Sequence, residues 1–314
     1  MVIRRALDSD KAKVLEFCKN TFEWGDYIET VWDDWKNDLS GILLVKDYKE
    51  SAESESIPIG VAHLGFCINN VMWIEGIRVQ KNFRNQGIAS SLLQYMINHG
   101  LSKGYREASA LVAKNNIISQ KLLEKHNFVK LFMCNYYSIE LEKLQSQHKD
   151  HQPKLSLKDA TTDDVSSILN YLHNHPTVSS YTKNRFFNSW KFYKFEITFQ
   201  YFMFLLEKGK KIVLIRNDKE NVIGMVIING TTTDYESDDD NPYNRPLIQI
   251  CYLDCMENQT YSQVIDLLIK RYSDYNRITN LQFFLPDIIN LTDYFKGISL
   301  KYFEQFYIFN KKLE

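Results

Sequence analysis

The chain has 314 residues, 44% hydrophobic and 25% charged, with a formal net charge of −1. That length suits two domains of ~150 residues, each able to fill a core. Near-neutrality argues against a nucleic-acid binder, which carries a basic surplus, and no apolar run reaches the ~18–20 residues that cross a bilayer. The N-terminus, MVIRRALDSDK, lacks the apolar middle region of a signal peptide. Five scattered cysteines fit a reducing, cytoplasmic setting better than a disulfide framework. Cys251-x-x-x-Cys255 is the only close pair and the histidines form no ligand cluster, so no metal is expected.

Val2 to Leu7 reads as a strand, and Asp8 or Ser9 can cap a helix to about Asn20 that buries Val14, Leu15, Phe17 and Cys18. After Phe22-Glu23-Trp24-Gly25-Asp26-Tyr27 comes a second helix through Trp32 and Trp35. Gly41 to Asp47 is a strand, Tyr48 to Ser56 a polar loop, and Pro58 to Cys67 a strand turning at Asn69-Asn70. Val71 to Val79, rich in β-branched and aromatic residues, is the pivotal strand. From Ile88 the period changes: Ile88, Leu92, Leu93, Met96, Ile97 and Leu101 make one helical face. Arg106 to Ala113 is a strand, Asn116 to Lys125 a helix, and Phe128 to Leu141 a strand.

Between the pivotal strand and its helix lies Arg84-Asn85-Gln86-Gly87-Ile88-Ala89. Gly87 removes a side chain where something can approach the backbone closely. A helix N-terminus leaves its first N–H groups without intrahelical partners and carries about half a positive charge. Together these make an anion cradle, most naturally for a phosphate, and Lys81 and Arg84 add charge beside it. The spacing is neither that of a dinucleotide fingerprint nor that of a nucleotide P-loop.

The loop resembles the Arg/Gln-x-x-Gly-x-Gly/Ala loop of the GNAT acetyltransferase superfamily, with Arg84, Gly87 and Ala89 in the defined places. The resemblance implies that amides along Asn85, Gln86, Gly87, Ile88, Ala89 and Ser90 hold the pyrophosphate of acetyl-CoA. It also implies that the pantetheine arm lies against the splayed strand edge at Ile77, Arg78 and Val79. Asn116, Ser119, Leu122 and Glu124-Lys125-His126-Asn127-Phe128 are similar to a second family segment, Asn-x-x-Ala/Ser-x-x-Leu-Tyr-x-Lys-x-Gly-Phe. By that match Asn116 hydrogen-bonds the pantetheine arm. Asn127 replaces the usual Gly, and Asn also tolerates a left-handed backbone. Leu123 stands where many members carry a tyrosine that protonates the departing thiolate. Tyr136, Tyr137 or water would serve instead, or the thiolate leaves unaided; a thiol pKa of ~8.5 makes that need modest.

Acetyl transfer needs a neutral amine placed in line with the thioester, and a donor for the developing oxyanion. Glu75 is the first candidate for the base, and backbone N–H groups near Val79 are the candidate donors. Strand alternation puts Glu75 with Trp73, Ile77 and Val79; an ion pair with Arg78 or another basic residue is the structural alternative. The Glu75-Gly-Ile-Arg-Val79 spelling, with Asp26-Tyr27-Ile28 and Trp32-x-x-Trp35, resembles the GNAT subgroup that includes vertebrate histidine N-acetyltransferase. That resemblance implies a small-molecule acceptor with a free α-amino group, held by Asp26, Tyr27, Glu75 and Arg78. The bland readings are core packing for the tryptophans and a helix cap for Asp26.

Glu142 to Lys154 is polar and proline-terminated, a linker centred on 146–154 between domains at 1–145 and 155–314. The second half echoes the first: Leu155 onward parallels Val2 onward, and Ile223-Gly224 echoes Ile59-Gly60. The fold class expected is α/β, with two tandem GNAT-like domains, each a mixed, mostly antiparallel sheet flanked by helices. Strands are read at Lys211–Arg216, Val222–Ile228, Leu247–Met256, Ile278–Leu285 and Leu300–Asn310, with a helix at Tyr261–Tyr272. Glu257-Asn258-Gln259-Thr260 replaces the anion loop with an acidic, glycine-free turn, so this domain is expected to bind no coenzyme A. The aromatic run Phe186–Phe204 reads as a buried helix or an interdomain contact, and Asp234–Asp240 as a solvated turn. A non-catalytic acyl-CoA-binding or interaction protein is the alternative reading, and oligomeric state is left open.

Overall fold

Val71–Val79 folds as the expected strand, and the elements around it follow the order read from the sequence. The computed structural model describes residues 1–22, 25–51, 53–67, 70–141, 155–188, 190–230, 247–273, 278, 280–296 and 300–313; Trp24, the linker at 146–154 and the acidic run at 234–240 lie outside these. The chain divides into one unit of Met1–Lys130 with Ile308–Glu314 and another of Leu131–Tyr307.

The first unit contains β1 (Val2–Arg5), α1 (Lys11–Cys18), α2 (Ile28–Asn37), β2 (Gly41–Tyr48), β3 (Ile57–Phe66), β4 (Val71–Val79), α3 (Ile88–Ser102), β5 (Glu107–Ala113) and α4 (Ile117–Lys125). Its sheet runs β1-β2-β3-β4-β5, with the C-terminal end of the chain's last strand beside β5. There Ser109 Oγ donates to Asn310 Oδ1 at 2.8 Å. Helices α1 and α2 cover one face with Val14, Cys18, Ile28, Trp32 and Trp35, packed with Leu43, Val45 and Val61. Helix α3 buries Ile88, Leu92, Leu93, Met96 and Ile97. Each such side chain contributes about 1.5–3 kcal/mol by leaving water. A 3-10 turn at Asp8–Asp10 leads into α1, Asp10's carboxylate accepting from Leu7 N at 2.7 Å, and α1 itself has no side-chain cap from Asp8 or Ser9.

Two irregularities shape β4. Its parallel pairing with β5 covers only Val71, Met72 and Trp73, after which no pairing joins the two strands. Its antiparallel register with β3 shifts between Val61↔Arg78 and His63↔Glu75, so Gly76 and Ile77 together oppose one residue. Such a bulge adds a residue to one strand and turns the following side chains over. Gly76 is left-handed there (φ 67). Strict alternation would group Glu75 with Ile77 and Val79; the bulge brings Arg78 to the Glu75 face instead.

The second unit takes β6 (Val129–Glu140) from Leu131 on, then β7 (Leu155–Asp159), α5 (Val165–Asn174), α6 (Thr177–Tyr181), β8 (Arg185–Asn188), β9 (Lys191–Lys194) and α7 (Phe199–Glu207). It continues with β10 (Lys211–Asn217), β11 (Val222–Gly230), β12 (Leu247–Cys255), α8 (Asn258–Ser273), β13 (Asn280–Pro286), α9 (Thr292–Lys296) and β14 (Leu300–Lys312) as far as Tyr307. Strand order is β14-β6-β13-β12-β11-β10-β7. The aromatic run is not one helix: β8 and β9 form an antiparallel hairpin before α7. Trp190 is left-handed at its turn (φ 64), and Phe186, Phe187, Phe192 and Phe195 are buried.

Strand β12 repeats both features of β4. It pairs in parallel with β13 only over Leu247–Ile250, and its register with β11 shifts so that Cys251 is bulged. Near its end Asp254 is buried, and Tyr252 donates to its Oδ2 at 2.9 Å. Burial pushes the Asp254 carboxyl up to about 6 from the ordinary 3.8. The folded state therefore holds a proton that the unfolded chain releases, and stability falls as pH rises from about 4 through about 6. Asp254→Asn should raise the thermal midpoint by several degrees near pH 8, equivalent to roughly 1–3 kcal/mol, and change it little near pH 4. Scanning calorimetry at the two pH values checks this; an equal shift at both excludes the buried charge as its source.

Candidate active site

Beyond Val79 the chain makes one 3-10 turn at Lys81–Phe83 and enters α3 through Arg84, Asn85, Gln86 and Gly87. Asn85 (φ 61) and Gly87 (φ 76) are both left-handed. A Cβ added at Gly87 would meet nothing within 4 Å. Glycine there answers to the handedness of the backbone, and the space above it is open. The helical ladder starts with Ser91 N donating to Gly87 O at 2.9 Å, so the N–H groups of Ile88, Ala89 and Ser90 precede the helix's first bond. The first turn of α3 has no acidic residue. Arg84 Nε donates to Val79 O at 3.1 Å, tying the loop to the strand end. Ser90 Oγ lies 2.5 Å from His126 Nε2, and burial, then Lys311 and Lys125, lowers the pKa of that imidazole. Lys46 Nζ donates to Ser91 Oγ at 2.5 Å. The expected loop residues thus lie in one turn at the N-terminus of α3, with Lys46 and Arg84 beside it.

The second expected segment lies at the C-terminal end of β5. Asn116 caps α4, its Oδ1 accepting from Ser119 N at 3.1 Å. Asn127 adopts the left-handed backbone expected of it (φ 62). Leu123 is buried in α4. Tyr136 and Tyr137, the candidates to stand in for it, lie in the second unit. Tyr136 packs against Trp190 and Phe284, and Tyr137 against Phe295 and Phe303. Burial pushes both phenols up to about 12.

A cluster on the α1–α2 face of β3 and β4 gathers the candidate acceptor residues. Glu75 Oε1 lies 2.9 Å from His63 Nδ1. The Glu75 side chain is 14% exposed and that of His63 is fully buried, so solvent reaches part of Glu75 and none of the imidazole. The His63 ring stacks on Trp35, with centroids 4.5 Å apart and planes 4° apart, and Tyr27 meets the Trp35 ring edge-on at 5.9 Å. Arg78 forms a bidentate pair with Asp26, Nε to Oδ2 at 2.6 Å and Nη2 to Oδ1 at 3.1 Å. Its guanidinium sits 5.0 Å from the Phe22 ring centroid and 5.1 Å from that of Tyr27. Burial lowers the Arg78 pKa, but Tyr27 and Asp26 outweigh it and leave it above the ordinary value. Asp26 Oδ1 also accepts from Ile28 N at 3.2 Å in the turn before α2, whose N-cap is Tyr27 and not Asp26. Glu75 and Arg78 are therefore each partnered elsewhere and not by one another in these bonds. His63 escaped the sequence reading, and its signal was its place across a hairpin from Glu75.

Residues 10–128 match the model of the acetyltransferase (GNAT) family. With the parted strands and the glycine-led helix, that match defines a GNAT-superfamily acetyltransferase fold. The likeness in structure runs through the whole chain. A GCN5-related N-acetyltransferase from Sphaerobacter thermophilus is 12% identical, with 99% of this chain and 95% of that one covered and a TM-score of 0.60. A tandem GNAT protein from the clavulanic acid biosynthesis pathway is 10% identical over 99% and 98% of the two chains, with a TM-score of 0.52. A GCN5-related glucosamine N-acetyltransferase region of a fungal multi-domain GH3 β-N-acetylglucosaminidase is 11% identical over 99% of this chain and 38% of that one, TM-score 0.62. No curated protein sequence matches the chain. The family match covers residues 10–128, and these neighbours share the fold of the chain, a tandem GNAT protein among them. Among the described residues no group of three or more His, Cys, Asp or Glu side chains could hold a metal, and no helix is long and apolar enough to cross a membrane.

Gly76 joins the two halves of this site. A Cβ there would lie 2.5 Å from Trp35 Cζ3 and 2.7 Å from its Cη2, on a backbone that disfavours any side chain. Gly76→Ala should lower stability by about 2–4 kcal/mol and shift the Trp35 emission as the ring leaves His63. Thermal melts and tryptophan fluorescence check this; an unchanged melt would mean that the bulge is not fixed by glycine.

Proposed function

We propose that the first unit catalyses direct acetyl transfer from acetyl-CoA to a primary amine, with Glu75 as the base. The observation that carries the reading is the parting of β4 from β5 beside a helix that starts on left-handed Gly87. The parted edge of β4 at Ile77, Arg78 and Val79 offers main-chain groups to an extended arm, and the amides from Asn85 to Ser90 face an anion. Asn116 stands at the far side of the opening, at the end of β5. Acetyl-CoA supplies an activated thioester carbonyl.

Glu75 takes one proton from the acceptor ammonium, directly or through water, and leaves the lone pair on nitrogen for attack. Backbone N–H groups near Val79 meet the charge that develops on the carbonyl oxygen. As the C–N bond forms and the C–S bond breaks, the amine's second proton balances the thiolate. Water is the simplest carrier for it, because Leu123 cannot act and Tyr136 and Tyr137 are committed to an apolar cluster. The thiol's ordinary pKa of ~8.5 keeps the requirement small.

For the acceptor we favour the α-amino group of a free, histidine-like amino acid. Of the residues that suggested this subgroup, Asp26, Tyr27, Trp35, Glu75 and Arg78 lie in one cluster with His63. Asp26, Ile77 O and Tyr27 already accept from Arg78, yet a guanidinium has five N–H donors, and an acceptor carboxylate would take one that these leave. The second unit serves structurally in this reading. Its β12-to-α8 connection, Met256-Glu257, has no glycine and carries a negative charge. A protein acting on a cytoplasmic small-molecule amine is thus the reading, with no role for nucleic acid or membrane.

Gly87→Glu should weaken acetyl-CoA binding on the order of 100-fold in isothermal titration, by clashing with the diphosphate's charge. Glu75→Gln should leave that affinity in place and lower kcat/KM by about 100-fold or more, read as thiol release over amino acids, polyamines, aminoglycosides and peptides. Wild-type binding with no release from any acceptor would favour the acyl-CoA-binding alternative.

A further inference from the structure

Glu75 is not held as an isolated carboxylate. Its Oε1 meets Nδ1 of His63, the residue directly opposite it on β3, at 2.9 Å. The imidazole has no freedom to turn away, because Trp35 covers its face at 4.5 Å. Its other nitrogen, Nε2, is buried without a hydrogen-bond partner. Gly41 leaves the room on that side: a Cβ there would lie 2.8 Å from Nε2 and 2.7 Å from Asp38 Oδ2. The charged and titratable groups facing this pair are Asp38 from the α2–β2 turn, Arg78 from β4, and Asp26 and Tyr27 from the segment leading into α2.

A buried polar atom left without a partner costs about 1–3 kcal/mol, and an orphaned N–H is rarer than an under-used acceptor. The arrangement therefore favours a neutral ring with its proton on Nδ1, donating to an ionised Glu75, over an imidazolium whose Nε2–H would be stranded. That is the state in which Glu75 can receive a proton. The fully buried ring cannot touch an acceptor, whereas the partly exposed carboxylate can.

We propose that His63 is a positioning residue for the proton step: clamped by Trp35, it fixes Glu75 in one ionised orientation toward the acceptor. This rests on the reading of Glu75 as the base. The proton leaves the acceptor's nitrogen, its bonding electrons stay there as the lone pair, and the Glu75–His63 pair holds the proton until it passes to solvent. No other bond changes in this step.

Kinetics and spectroscopy on the full-length chain test it. His63→Leu should lower kcat about tenfold or more with acetyl-CoA affinity unchanged by calorimetry. His63→Gln, whose amide N–H can still reach Glu75, should recover most of that loss. The double variant His63→Leu/Glu75→Gln should be no slower than Glu75→Gln, because the histidine acts only through the carboxylate. Long-range nitrogen–proton spectra should show His63 as the Nδ1–H tautomer, with a slowly exchanging ring proton that Glu75→Leu abolishes. Full kcat in His63→Leu, an additive double variant or an Nε2–H tautomer each overturns the proposal. If the wild type itself turns over no acceptor, the acetyl-transfer reading fails with it, whereas loss of rescue in a working enzyme sinks the role of His63 alone. Should His63→Leu fail to fold, the His63→Gln variant and the wild-type spectrum still decide.

Discussion

The first unit depends on β4 leaving its neighbour. A parallel pair that stops after three residues exposes backbone donors and acceptors that a continuous sheet would satisfy, and such groups are costly when buried unpaired. The same strand is displaced on its other side by the bulge at Gly76, which keeps its pairing with β3 while rotating the end of the strand. The two departures act together. One edge is offered to an extended chain, and the side chains at Glu75 and Arg78 are brought to a single face. A regular β4 would place those two on opposite faces and close the edge.

Much of this was legible because it is local. The element order followed from period changes, Gly87 from the need for a backbone without a side chain, and Asn127 from its tolerance of a left-handed turn; Asn85 shows the same conformation. What escaped depends on register, which one residue can invert. A two-residue turn at Asn69-Asn70 would set Glu75 opposite Leu64. The observed register differs by one and sets it opposite His63. Alternation also failed at Gly76, where the sequence spells only one glycine in an apolar strand, and a bulge and a close approach to Trp35 look alike at that level. The aromatic run at 186–204 misled for another reason. Its rings fit a helix face and a hairpin equally well, and the left-handed residue at its turn is Trp190, a type that gives no turn signal.

The second unit repeats the strand geometry with different side chains. Gly60 pairs with Val79, and Gly224 pairs with Cys255, at matching places in the two hairpins. Counted from these glycines, Tyr252 stands where the first unit has Glu75, Ile227 where it has His63, and Asp254 where it has Arg78. The parting and the bulge persist, yet the place of Glu75 holds a phenol pushed far above its ordinary pKa by burial and by Asp254. Glu257 precedes a helix that no glycine introduces. The sheet geometry is therefore not sufficient for the site. It positions whatever side chains the sequence supplies, and in the second unit these are engaged with one another, as the bond from Tyr252 to Asp254 shows.

The proposed acceptor chemistry gives Arg78 more than an anchoring role. A single carboxylate base removes a proton readily only if the amine's pKa is near its own, and a lysine-type amine at ~10.4 is harder to deprotonate than a peptide α-amino group at ~7.7–8.0. That difference of roughly 2.5 units amounts to ~3.4 kcal/mol at neutral pH. In a free amino acid the neighbouring carboxylate holds the ammonium in its charged form by simple attraction. A guanidinium that takes up that carboxylate cancels the attraction and moves the amine toward the neutral state needed for attack. Asp26 limits this effect by neutralising part of the charge on Arg78, while Phe22 and Tyr27 keep the guanidinium in a dry setting where what remains acts strongly. On this reasoning Arg78 and Glu75 share one task from two sides: one lowers the affinity of the amine for its proton, and the other receives it.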